Sequence, residues 1–311
     1  MKSVQRAAIF SGLCFGLAVV TFANELPPIR LDQGDSKGAA PAVGAEPKTS
    51  RELADRVDKR YQGDDSKMKL TLISYNERGE KKVEQMIRYR REKNREKGQL
   101  ARTLLCYAAP ADVRGTCTLT LQQEGDEDQQ RIYLPSLKKN RRIAAADKGK
   151  SWSGTEFSYE DLREQKLDDF DYSPLSTERY DGFDCYRYSV TPKTPEKSSY
   201  SKIETWVRKD ILQHVKARYY DKKGNALKEL YFVNLKSIQG VWTPQHLLMQ
   251  NLQDKRKTDF VVNRIVYNTQ IDDRMFTPSA MEQVPEDFKS AEDPWAAESH
   301  GGKAEGRSSG G

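Results

Sequence analysis

The sequence predicts a mainly β fold with a few short helices, organised around one large antiparallel sheet that must curl. Three observations point there. Stretches of alternating apolar and polar residues, the period of a half-buried strand, recur along most of the chain. Turn residues punctuate them, as in Asn76-Glu77-Arg78-Gly79 and Asp221-Lys222-Lys223-Gly224-Asn225. Across 311 residues, 36% hydrophobic content against 32% charged is too lean for a parallel sheet covered on both faces, yet ample for a curved sheet with one wet face. The same balance excludes a polytopic membrane protein.

The elements follow in order. Lys2 and Arg6 precede an apolar stretch over 7–22, and Thr21-Phe22-Ala23 suits a signal peptidase, so residues 1–23 are expected to be a cleaved secretory signal. Ser11, Gly12 and Gly16 interrupt the stretch and no stop-transfer charges follow it, which disfavours an uncleaved anchor. Leu13 before Cys14 does not fit a lipoprotein acylation site. A Pro/Gly/Ala-rich linker is expected over 24–48. Thr49-Ser50-Arg51-Glu52 has the form of a capping box, and Leu53, Val57 and Tyr61 recur at helical spacing, which predicts an amphipathic helix over 50–62, ended by Gly63.

From there the chain reads as strand: 68–72, 83–89, 103–107, 117–121, 131–134, 186–190, 203–208, 212–220, 227–235, 243–252 and 260–267. So many antiparallel strands make a sheet that cannot stay flat. The pattern breaks at 149–171, where Ser153-x-x-Glu156 and Ser158-x-x-Asp161 each offer a helix start and Phe157, Tyr159 and Leu162 carry bulk. Such an insertion would cap the open side of the sheet. Past residue 288 the chain turns Ala/Glu/Gly/Ser-rich, so 289–311 is expected to be a disordered tail, leaving 49–288 as the folded domain.

Composition also bounds function. The net charge of +6, from 52 Lys and Arg against 46 Asp and Glu, implies no obligate polyanion partner, and nucleic acid is not expected. The basic runs are modest: 88–97, diluted by glutamates, and 138–142. Three histidines, His214, His246 and His300, stand at no recognisable catalytic spacing, and Gly149-Lys150-Ser151-Trp152-Ser153-Gly154 has the wrong spacing for a nucleophile elbow. No phosphate-cradling loop or metal-ligand spacing is found, so no enzyme activity, cofactor or metal is expected.

Without the signal, Cys106, Cys117 and Cys185 remain. If 103–107 and 117–121 pair as a hairpin, Cys106 and Cys117 face each other and a disulfide would stabilise the short loop by about 3 kcal/mol. The alternative is three small buried hydrophobes.

Two segments, Arg131-Ile132-Tyr133-Leu134-Pro135-Ser136-Leu137-Lys138-Lys139-Asn140-Arg141-Arg142-Ile143 and Ser153-Gly154-Thr155-Glu156-Phe157-Ser158-Tyr159-Glu160-Asp161-Leu162, resemble the signature of LolA-like outer-membrane lipoprotein-sorting proteins. The turn from Pro110 to Thr116 and the stretch Ile238-Gln239-Gly240-Val241-Trp242-Thr243-Pro244 are similar to further motifs of that family, in the same order. The resemblance covers about residues 50–285. It implies an unclosed antiparallel β-barrel wrapped around short helices that form a lid, with an acyl-chain cavity between sheet and lid. The implied function is a periplasmic carrier that binds acylated lipoprotein or lipid cargo, takes it from an inner-membrane transporter, and hands it to an outer-membrane acceptor, working as a monomer. A lipid-sensing regulator of the same fold, engaging a membrane signalling partner, is the other reading, since fold alone leaves the cargo open.

The expected lining is Leu70, Leu72, Ile87, Leu119, Ile132, Leu134, Val207, Leu230, Phe232, Leu247 and Met249 from the sheet, with Trp152, Phe157, Tyr159 and Leu162 from the lid. Trp206 and Trp242 are second-rank candidates for the same surface. Lys138, Lys139, Arg141 and Arg142, next to the lid, are candidates for contact with a lipid headgroup or an acidic partner.

Overall fold

A computed structural model describes residues 45–94, 98–125 and 127–283. The expected signal, all but the last residues of the linker, and the expected tail therefore lie outside the described residues. Of the linker, Pro47 is buried and the Lys48 amide donates to Glu52 Oε2 at 2.8 Å, so its end is part of the fold.

The capping box starts a helix where the sequence places it. α1 spans Ser50–Lys59, with Thr49 as N-cap accepting from the Glu52 amide at 3.1 Å. Leu53, Ala54 and Val57 form its buried stripe. The helix stops a turn earlier than expected, and Tyr61 lies beyond it, 57% exposed. Gly63 makes the turn out, at φ +81°, and a Cβ there would stand 3.0 Å from Tyr267 Cδ1.

Fourteen strands form one antiparallel sheet. They are β1 Asp65–Tyr75, β2 Lys81–Arg91, β3 Arg102–Ala109, β4 Cys117–Leu121, β5 Gln129–Leu134, β6 Lys139–Arg142, β7 Phe170–Tyr172, β8 Ser176–Tyr180, β9 Phe183–Pro192, β10 Lys202–Arg208, β11 Gln213–Tyr220, β12 Ala226–Ile238, β13 Val241–Asn251 and β14 Lys257–Tyr267. The spatial order is β6-β5-β4-β3-β2-β1-β14-β13-β12-β11-β10-β9-β7, with β8 also on β9. Each half is a meander, and the long-range β1–β14 pairing joins first strand to last. The ends, β6 and β7, do not pair with each other, so the barrel stays unclosed. The three strands unforeseen in the sequence, β6, β7 and β8, are short or exposed at this margin, where apolar alternation is weak.

Because β6 and β7 are the sheet's two ends, the chain between them, 143–169, has to cross the opening. It does so without an α-helix. Ser153 and Gly154 adopt positive φ, and the Trp152 amide donates to the Phe157 carbonyl at 2.7 Å, which closes a tight loop. At the second expected helix start the reciprocal bonds do form, Ser158 N to Asp161 Oδ2 at 2.6 Å and Asp161 N to Ser158 Oγ at 3.2 Å, but around a turn. The expected helical lid is thus a bonded loop followed by a single 3₁₀ turn, Leu167–Asp169.

The outer face of the sheet is not uniformly wet. The segment after β14, with Phe276 and Met281, covers Ile87, Leu104, Leu119 and the disulfide Cys106–Cys117. The cysteines are direct cross-strand partners on β3 and β4, as the hairpin reading requires. A second outer cluster gathers Cys185, Trp206, Ile211, Val215 and Leu235, with Trp242 against it. Burial pushes the free Cys185 thiol up to about 11.

Candidate functional site

The inner face of the sheet, α1 and the crossing segment enclose a cavity of about 440 Å³. That is within the ~300–1,000 Å³ typical of ligand sites. Strand alternation puts one row of several strands into it: Met68 and Leu70 of β1, Leu105 of β3, Ala217 and Tyr219 of β11, Leu230 and Phe232 of β12. α1 contributes Ala54 and Val57, and the crossing segment Phe157, Leu162 and Leu167. On the far side of 160–170 lies a further space of about 300 Å³, reached past Pro192, Lys197 and Ser198.

Of the expected lining, Leu70, Phe157, Leu162, Leu230, Phe232 and Leu247 face this cavity. Leu72, Trp152, Tyr159, Val207 and Met249 belong to the same inner core but are packed away from the space. Trp152 stacks on Tyr107 with centroids 5.8 Å apart, and its Nε1 donates to Thr118 Oγ1 at 2.9 Å, so it plugs the barrel interior. Ile132 and Leu134 sit on β5, outside the lining.

Ile87 and Leu119 are corrections: they point outward, under the C-terminal segment, because the inward row of β2 is Met86, Arg88 and Arg90 and that of β4 is Thr118 and Thr120. Trp206 and Trp242 are corrected likewise, since both belong to the outer cluster around Cys185. Lys138, Lys139, Arg141 and Arg142 are exposed at the β6 margin and do not border the cavity.

What the sequence reading missed is the polar end of the site. Arg60, Arg88, Arg90, Thr103, His214 and Glu164 also line the cavity. The signal was present in the alternation of β2, which places Arg88 and Arg90 in one row with buried Met86. Arg90 is neutralised: its Nε and Nη2 donate to Glu92 at 2.5 and 2.8 Å, and Nη2 donates to Glu164 of the crossing segment at 2.6 Å. Burial disfavours the Arg90 cation, but the two carboxylates more than offset it and hold its pKa well above the ordinary value. In return Arg90 holds the Glu164 carboxyl low.

Among the described residues Arg88 and Arg60 have no such carboxylate partner. Arg88 donates no hydrogen bond to any described group, and its Nε is buried. Among the described residues Arg60 Nη1 reaches only the carbonyls of Val57 and Leu212, at 3.3 and 3.4 Å. Burial lowers the pKa of both, and the Arg90 charge adds to the effect on Arg88. His214, with Nδ1 3.1 Å from Thr205 Oγ1, is driven down to about 3 by burial and then by the Arg60 charge, so it stands neutral in the wall.

The crossing segment is anchored on one side by a buried charge pair. Lys228 Nζ on β12 donates to Asp161 Oδ2 at 2.5 Å and to the Glu156 carbonyl at 3.0 Å, while Tyr200 donates its hydroxyl to Asp161 Oδ1 at 2.7 Å. On the other side Lys166 Nζ donates to the Gln123 carbonyl at 2.9 Å. Among the described residues no helix is long and apolar enough to cross a membrane, and no group of three His, Cys, Asp or Glu is gathered as for a metal. The arrangement is suited to sequestering an apolar chain next to buried cations.

Comparison with known proteins agrees with this geometry. A family model described as an uncharacterized protein matches residues 99–283. A Vibrio parahaemolyticus domain named for outer membrane lipoprotein sorting is 27% identical, with 75% of this chain and 98% of that one covered and a TM-score of 0.71. A DUF1329 family protein from Desulfovibrio piger is 29% identical over 74% of this chain and 97% of its own, with a TM-score of 0.70. A LolA superfamily protein from Nitrosomonas europaea, 17% identical with a TM-score of 0.58 and coverage of 74% and 97%, shares the fold. No curated protein matches the chain.

Proposed function

The chain belongs to the family whose model spans residues 99–283 and has a LolA-like fold, and from that premise we propose that it is a periplasmic carrier of acyl chains. In this reading an inner-membrane transporter loads the cavity and an outer-membrane acceptor empties it. The observation that carries the proposal is the cavity itself, apolar over most of its wall and covered by a segment joining the two unpaired ends of the barrel.

The energetics set what such a protein has to do. An acyl chain of roughly fifteen methylenes is held in a membrane by on the order of 12 kcal/mol, at ~0.8 kcal/mol per CH₂. Free diffusion through water is therefore negligible, and a carrier has to offer a comparable apolar surface. The wall of Leu70, Leu230, Phe232 and Leu247 supplies one, and the neighbouring Tyr and Thr residues keep it from being uniformly apolar. This is binding without covalent chemistry.

Filling the cavity tests the proposal. Ala217 is buried in the wall, and Ala217→Trp projects an indole into the space at an overpacking cost of about 1–3 kcal/mol. The variant is expected to keep the far-UV circular dichroism of the native chain while losing uptake of a fluorescent acyl probe. Unchanged uptake by a folded Ala217→Trp protein contradicts the reading.

A further inference from the structure

We propose that the cavity is built for an amphiphile with a single oxyanion at its head, a carboxylate or a phosphate, gripped by Arg88 and Arg60 while its chain lies along the apolar wall. This rests on the carrier reading and narrows its cargo class. Arg88 lines the cavity, donates no hydrogen bond to any described group, and has a buried Nε. Arg60 lines the same cavity and among the described residues donates only to two backbone carbonyls, both at more than 3.2 Å.

The nearby carboxylates are already engaged. Glu92 and Glu164 are bonded to Arg90, and Asp58 is paired with Lys93. The Glu92 carboxylate acts on both Arg60 and Arg88. Arg60, Arg88 and Arg90 thus line one cavity, while Glu92 and Glu164 both close on Arg90 and Asp58 pairs with Lys93.

Both arginines are half-buried, with the Arg88 Nε wholly out of water, and a charged donor withdrawn from water costs free energy until an acceptor pairs it. Of the chemistries that fit an apolar cavity, an oxyanion on an acyl chain supplies the missing acceptor, and its planar or trigonal oxygens suit a guanidinium fork. A quaternary ammonium head would meet like charge. The neutral glyceryl thioether of an acylated protein terminus would leave both arginines unpaired, so the site favours a free anionic lipid over an acylated protein.

The test uses the purified full chain with the neutral apolar dye N-phenyl-1-naphthylamine bound, displaced by two matched pairs: oleic acid against methyl oleate, and oleoyl lysophosphatidate against monoolein. The anionic member of at least one pair is expected to displace the dye at about tenfold lower concentration, the worth of one charge-assisted hydrogen bond. Which pair shows the gap identifies carboxylate or phosphate. Arg88→Gln is expected to close the gap to within about twofold, read as the ratio within each pair so that any change in dye affinity cancels, and Arg88→Lys to retain part of it. Thermal unfolding of the empty Arg88→Gln chain should be no earlier than that of the native chain, because a half-buried charge with no described acceptor is removed; Arg60→Gln repeats the test from the other side. Equal displacement within both pairs, or a gap that survives both substitutions, overturns the anionic site and leaves the carrier standing. Failure of the dye and of all four lipids to bind overturns the carrier reading and this inference with it.

Discussion

His214 and His246 lie on strands of the same sheet and respond to acid in opposite senses. Burial drives His214 down to about 3, so the unfolded chain takes up its proton first. The stability it contributes is complete above the ordinary imidazole value of ~6.5 and is lost as pH falls from there toward 3. His246 Nδ1 donates to Asp259 Oδ2 at 3.0 Å, and that hydrogen bond raises its pKa. Its contribution is complete below ~6.5 and disappears as pH rises through the raised value. His214→Phe is therefore expected to shrink the fall in Tm between pH 7 and pH 5, and Asp259→Asn to lower Tm more at pH 5 than at pH 8; thermal melts across pH check both. Residues were legible in the sequence where the apolar row of a strand was also its inward row, as at Leu70 and Leu230. On β2 the apolar row, Val83-x-x-x-Ile87-x-Tyr89, faces out, while Arg88 and Arg90 face in. Alternation marks two faces without saying which one a late segment will cover, and charged residues in a strand read as its wet side.

Among the elements, the crossing segment departs most from the local sequence signals. Ser158 and Asp161 make the bonds of a capping box, yet Asp161 is also drawn to Lys228 and Tyr200, partners more than thirty residues away in sequence. That tertiary competition holds the chain in a turn where propensity suggested a helix. Side-chain exposure of 6% for Lys228 and 3% for Asp161 makes the pair fully buried. Asp161→Asn is expected to cost about 3–5 kcal/mol by leaving a buried ammonium without its counter-charge, and Asp161→Leu with Lys228→Met to recover most of that loss. Urea melts of the single and double variants measure the difference; additive losses would contradict the coupling. By contrast α1 was legible to within a turn, because its capping box and its Leu53-Ala54-Val57 stripe are local and sufficient.

At the scale of the whole molecule, one connection explains both shape and opening. First strand pairs with last, the two meanders spread from that seam, and their outer ends remain unpaired with a loop strung between them. The sequence disclosed the meanders, since each hairpin is marked by its own turn, and family resemblance supplied the barrel. Periodicity could not disclose the seam between residues 65 and 267, the length of the crossing, or the cavity beneath it. The most direct test of the central claim is native mass spectrometry of the chain expressed in a bacterial periplasm and purified without detergent, followed by lipid extraction. A complex with one acyl-bearing amphiphile, lost on Ala217→Trp, is the expected result. A bare polypeptide mass that stays bare after incubation with phospholipid, fatty acid and lipopeptide would contradict it.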